Sequence, residues 1–290
     1  MFNKPEQEHI TDEDVILTLP HTRKEVFFDF LKHRKMNLFA LSCFTFMFFI
    51  PLAVDLFYFN FLEAVAIANE MDDYLFSLVF YSMLIMLPCM LVGFMGLSGA
   101  FHVAKKMVWQ EGTMLATDFF QGIKENWKNA LINGVIFGIA LFGLIMGSSY
   151  LIIFAPVAPV WSGIGIGALV LVFIAIGIIL AMFFTQDVYY SNPYLVTLKN
   201  SFLFMGIINW KLLVLFVLST GVVVGLCCIN MITLGIGLFL FAVLNSVVIV
   251  LYTLISHSAF DKYINKEHHP EMVNKGLYKA ADGDTYDKEA

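Results

Sequence analysis

Charge is what this chain has least of. Only 14% of its 290 residues are charged, 59% are hydrophobic, and the mean hydropathy is +0.79. Soluble domains run at about 25% charged and about 45–50% apolar. A water-soluble core of this size cannot bury so much apolar surface, so lipid must solvate part of it. Cysteine is sparse too. Cys43, Cys89, Cys227 and Cys228 lie in apolar stretches without metal-site spacing, which argues against a disulfide framework or a zinc centre. The first 36 residues hold no apolar core with a cleavage site. No removable signal peptide is expected, and the first apolar span is read as its own uncleaved signal. Walker, metalloprotease and serine-hydrolase motifs are missing, and Gly163-x-Gly165-x-Gly167 has neither a strand before it nor a phosphate-binding lysine. The expectation is a protein that is not an enzyme, with no cofactor, no metal and no nucleic-acid partner.

What is present is a set of long apolar runs. Crossing the hydrocarbon core takes about 20 mostly apolar residues, and such stretches lie at 37–59, 75–101, 129–155, 163–184, 212–231 and 233–256. The last two are divided where Asn, Thr and Gly cluster between Asn230 and Gly237, as in a turn. The basic residues then fall in a one-sided pattern. All 17 Lys and Arg lie before the first span, between the second and third, between the fourth and fifth, or in the tail. The other three connections have none, and the first of them carries Glu63, Glu70, Asp72 and Asp73. Positive charge near span ends stays cytoplasmic, so a cell-membrane protein with both termini in the cytoplasm is expected.

The fold class read from this pattern is all-α: a polytopic membrane protein with six transmembrane helices in three hairpins, each preceded by a cytoplasmic interfacial amphipathic helix. Residues 1–36 form an N-terminal arm with one such helix, 37–256 the transmembrane domain, and 257–290 a polar tail. The interfacial helices are expected near 115–128 and 193–208. In the first, Asp118 and Gln121 have capping-box spacing. Phe119, Phe120, Ile123 and Trp127 recur at helical spacing opposite Gln121, Lys124, Glu125 and Lys128. In the second, Asn192 is a cap candidate and Pro193 a first-turn residue. That stretch ends in Asn209-Trp210-Lys211, matching Asn126-Trp127-Lys128. Thr22 and Glu25 form a capping box in a looser third copy. The match is either an internal repeat or convergent use of Trp and Lys as interface anchors.

One stretch resembles a known family. Pro88-Cys-Met-Leu-Val-Gly-Phe-Met-Gly96 is followed by Lys105-Lys106, Glu111-Gly112, Asp118-Phe-Phe and Lys124-Glu-Asn-Trp-Lys128. This order is similar to the YesL-like bacterial membrane proteins, a domain of unknown function, over roughly a quarter of the chain. The family has a threonine soon after the proline, where this chain has Cys89 to Val92. The resemblance implies a plasma-membrane protein associated with carbohydrate uptake, and it supplies no reaction and no catalytic residues.

Ionisable groups deep in a bilayer are costly and usually functional. Asp55 is the only acid within the spans, and it is read as an interface residue or else a cation or proton site near the outer mouth. Asn133 and Asn245 are read as interhelical hydrogen-bonding residues or substrate contacts. His102 and His257 end spans and are read as snorkelling interface residues, with a pH-sensing pair as the sharper alternative. Gln186 and Asp187 are expected to cap the fourth span or meet lysines, and His268-His269 to lie in solvated tail. The glycine pairs at four-residue spacing let helices approach closely. Asp118, Phe119, Phe120, Lys124, Asn126, Trp127, Lys128, Asn209, Trp210 and Lys211 form a candidate docking face. Its expected partner, beyond the lipid bilayer, is a membrane transporter component or a second copy of the chain. An accessory or regulatory component of a solute uptake system leads, with a small-solute permease and a membrane scaffold without transport role as alternatives.

Overall fold

The computed structural model describes residues 20–227 and 230–278, with only the backbone of Asp72, Asp73, Ile208 and Asn209. Among the described residues there is no strand. Helix α1 spans Arg23–His33 and α2 Lys35–Ala68, with Arg34 breaking the chain direction between them. Then come α3 (Asp72–Val108), α4 (Leu115–Phe154) and α5 (Pro159–Tyr189). Helix α6 (Tyr194–Phe216) passes through a π-helical turn at Val217–Gly221 into α7 (Val222–Cys227). Helix α8 (Met231–Phe260) continues through a second π-helical stretch, Asp261–Asn265, into α9 (Lys266–His268). Six of these rods are long and apolar enough to cross a membrane. The chain is an all-α, multi-pass membrane protein.

The expected division at Asn230 is a helix start. Asn230 Oδ1 accepts from the backbone N–H groups of Ile232 and Thr233, and Thr233 Oγ1 accepts from the Asn230 N–H. Those bonds satisfy donors that a helix terminus leaves open. Thr22 likewise caps α1 by accepting from Glu25 N–H. Glu25 reaches back to the His21 N–H at 2.7 Å, and that bond holds its carboxyl below the usual range.

Two expected helix starts are displaced. Asp118 is no N-cap, because α4 begins earlier, at Leu115. Asp118 instead accepts from the Met114 N–H at 2.8 Å and from Lys106 Nζ at 2.6 Å. Pro193, not Asn192, occupies the N-cap of α6, with no side-chain cap bond. The helices expected near 115–128 and 193–208 exist, but they are not separate in-plane elements: each runs unbroken into the span after it. Lys124 and Lys128 interrupt the hydropathy, yet nothing between Leu115 and Phe154 interrupts the backbone, since no proline occurs there. Of the three expected amphipathic helices, only α1 stands apart.

The rods pack in sequence order, each against the next, and α8 returns to α2 to close the ring. The middle of the ring is filled. Helix α3 also touches α5 and α8, and α5 touches α8. Close approach of α3 and α4 depends on Gly99 and Gly122, where an added Cβ on Gly99 would come within 2.7 Å of the Phe119 carbonyl oxygen. Phenylalanines fill the remaining space: Phe101 stacks on Phe184 at 5.5 Å, and Phe94 meets Phe137 and Phe184. Elsewhere the rods show bare apolar surface. Only 11% of the most apolar stretch of the Trp210–Cys227 span is buried inside the protein, which fits a surface solvated by acyl chains.

Candidate functional site

The described lysines and arginines gather at the end of the bundle where α3, α5 and α8 finish and α2, α4 and α6 begin. There residues 257–278, the described part of the expected polar tail, are a folded part of the structure. His257, Asp261 and Asn265 recur every fourth residue, so they form one stripe along a helix face, and all three are buried. Arg23 on α1 reaches Asp261 at 3.1 Å and the Lys275 carbonyl at 2.8 Å. Asn265 Nδ2 donates to Asp261, and the Tyr190 hydroxyl donates to Asn265 Oδ1 at 2.6 Å. Burial, with Asp261 close by, pushes the Tyr190 phenol well above the usual tyrosine range. Trp109, just past α3, closes the cluster by donating to His257. The Lys275 ammonium lies 3.6 Å from the Trp109 ring centroid and pairs with Glu111 at 2.8 Å. Gly276, at φ +86°, packs against the Val108 carbonyl where a side chain has no room. Pro20 accepts from the Tyr278 N–H, joining the two termini of the described chain.

This cap corrects two readings of histidine. His257 does not snorkel; it is fully buried and hydrogen-bonded. His102 is buried too and faces Glu125 at 3.6 Å. The two histidines do not pair with each other. His269, expected in solvated tail, rests on Tyr190 at 5.4 Å between ring centroids.

Beside the cap lies an open polar cleft of about 460 Å³ between the ends of α3 and α5 and the first third of α4. Neither Gln186 nor Asp187 meets a lysine there. Gln186 donates to Ser201, and Asp187 accepts from Asn129 Nδ2 at 2.7 Å. It is Lys105 that caps α5, through the Val188 carbonyl.

The candidate docking face divides. Asp118 and Phe119 are buried against α3 and face away from any partner, with Phe119 at 0% exposure. Phe120, Lys124, Trp127 and Lys128 point outward, as do Trp210 and Lys211. Asn126 is half-buried, donating back to the Gly122 carbonyl. The side chain of Asn209 lies outside the described residues.

The three intramembrane candidates are separated. Asn245 Nδ2 donates to the Ser42 carbonyl at 3.2 Å, within a seam where Ser246 Oγ donates to the Leu38 carbonyl and its N–H to Ser42 Oγ. Asn133 accepts from the Tyr194 hydroxyl at 2.8 Å. Both bonds are interhelical, and the polar cleft is lined by neither residue. Asp55 is no interface residue: it is 7% exposed, faces Ser82 inside the bundle, and its Oδ2 has no hydrogen-bond partner among the described residues.

No family model, curated protein or solved structure matches the chain. The site has to be interpreted from its own geometry. Sequence periodicity pointed to the outward aromatics and lysines. The cap was missed, although the four-residue spacing of His257, Asp261 and Asn265 was there to be seen.

Proposed function

We propose that the chain is an accessory or regulatory component of a solute uptake system, docking its partner at the basic end. The supporting observation is the packed bundle centre: α3 contacts α5 and α8 across the ring, and Phe94, Phe101 and Phe184 pack together there. The outward Phe120, Trp127 and Trp210 have the aromatic character that suits a surface lying beside a second membrane protein, and Lys124, Lys128 and Lys211 flank them as a rim. One-sided lysine supports placing this end, and both termini, in the cytoplasm of a cell membrane. The resemblance of Pro88 to Gly138 to YesL-like proteins adds carbohydrate as the class of solute.

Photo-crosslinking in native membranes tests the reading. Crosslinkers at positions 127 and 210 should each capture the same transporter component in a stoichiometric adduct, and one at position 161 should not. The purified chain in proteoliposomes should give no solute flux. Flux without a captured partner would replace the proposal with the permease reading. That second reading rests on Asp55, a buried acid with an unpartnered oxygen.

A further inference from the structure

The polar cleft beside the cap carries two carboxylates, Asp187 and Glu125, against one ammonium, Lys105. Asn126 Nδ2 is spent on the Gly122 carbonyl and Asn129 Nδ2 on Asp187 Oδ1. Each of these bonds uses one of the amide's two N–H groups. Asp187 Oδ2 has no partner among the described residues. Glu125 adds a second carboxylate to the wall, and α5 ends here, turning the negative pole of its helix dipole toward the space.

The single cation of the lining does not neutralise this. Lys105 Nζ already donates to the Val188 carbonyl and lies 4.6 Å from the Trp109 ring centroid and 5.7 Å from that of Tyr189. Its neighbours are what an ammonium seeks: a carbonyl oxygen and aromatic faces. Tyr189 also lines the cleft, is only 5% exposed, and its hydroxyl has no partner among the described residues. A buried polar atom without a partner costs free energy unless a ligand or water meets it.

We infer that this cleft binds a small organic cation, a primary amine or diamine, whose N–H donors meet Asp187, Asn129 and Glu125. Its volume of about 460 Å³ falls within the range of sites for small molecules, about 300–1,000 Å³. Two carboxylates, Asp187 and Glu125, against one ammonium already held by a carbonyl and aromatic faces select a cation over an anion. The inference stands on the cleft alone and is independent of the docking role.

The test is calorimetric titration of the full chain in phosphatidylcholine nanodiscs with putrescine, and with 1,4-butanediol as its uncharged counterpart. Putrescine should bind saturably and butanediol should not. Asp187→Asn keeps the Asn129 bond and should weaken putrescine about ten-fold, the scale of a lost charge-assisted hydrogen bond. Ser191→Lys, at an exposed position on the rim, places an ammonium in the cleft without touching the core and should weaken binding at least as much. Should Asp187→Asn fail to fold, Ser191→Lys decides. Absence of saturable putrescine binding, equal binding of butanediol, or affinity unchanged in the variants would overturn the inference.

Discussion

The indole Nε1 of Trp109 donates to His257 Nε2 at 2.9 Å across 148 residues of sequence. An indole N–H can only donate, so His257 Nε2 is the acceptor nitrogen. The ring proton of the neutral imidazole then sits on Nδ1 and is donated to Asp261 Oδ2 at 3.0 Å, so Arg23 Nη2, 2.9 Å from Nδ1, is held by the carboxylate and not by the ring. Arg23 binds the same oxygen at 3.1 Å. One histidine tautomer thus ties together the end of α3, the end of α8 and the N-terminal helix.

Removing the donor should therefore loosen all three. Trp109→Phe keeps an aromatic ring but leaves His257 Nε2 buried and unpaired, at a cost of about 1–3 kcal/mol. The expected outcome is a lower melting temperature in detergent, with faster amide exchange across Arg23–His33. Unchanged exchange in α1 would mean that the helix is held by other contacts.

The glycines divide by what surrounds them. At Gly122 a Cβ would collide with the His102 side chain and come within 3.2 Å of the Gly99 Cα. Since backbone cannot yield as a side-chain tip does, Gly122→Val should separate α3 from α4 and abolish a folded monodisperse species on size-exclusion chromatography. Gly143, with nothing within 4 Å, should tolerate alanine and gain up to about 1 kcal/mol from reduced chain entropy. The spacing at residues 143 and 147 suggested a packing face at both, and only Gly147 meets a neighbour, Leu169.

What was legible in the sequence follows from how local the signal is. The spans are set by apolar run length, and the break at Asn230 by a cap whose partners lie two and three residues away. Both can be read in a short window. The continuity of α4 was readable from the absence of proline, but the lysines at 124 and 128 drew attention to a change in polarity instead. The cap could not be read in this way. Arg23 and Asp261 are 238 residues apart, and nothing local tells a polar stripe on a docked helix from one on a solvated tail. Asp55 was misplaced for a related reason. Its place along the span is set by the sequence, but whether it faced lipid headgroups or α3 depended on the rotation of α2.

Asp55 offers a sharp test of its own. A carboxylate buried beside Ser82, with one oxygen unpartnered, is an expensive thing to keep in a bilayer. Asp55→Asn removes the charge while preserving shape. If Asp55 serves only packing, the variant should melt at the same or a higher temperature with no other consequence. If cells also lose growth on a particular solute while the variant remains folded, the acid has a transport role and the permease reading gains.

Orientation can be settled chemically. Cys43, Cys89, Cys227 and Cys228 would first be replaced by serine or alanine, and single cysteines introduced at exposed positions on each end. Because the basic residues sit at one end, a membrane-impermeant maleimide added to intact cells should label Glu70→Cys and Val157→Cys, and leave Lys199→Cys and Lys266→Cys unmodified until the membrane is broken. The cost of carrying lysine across a bilayer makes this asymmetry strong. The opposite labelling would put Trp127, Trp210 and the amine cleft outside the cell. A cytoplasmic partner could not then reach them, and the docking proposal would fall while the cleft's binding chemistry, which depends only on its lining, would stand.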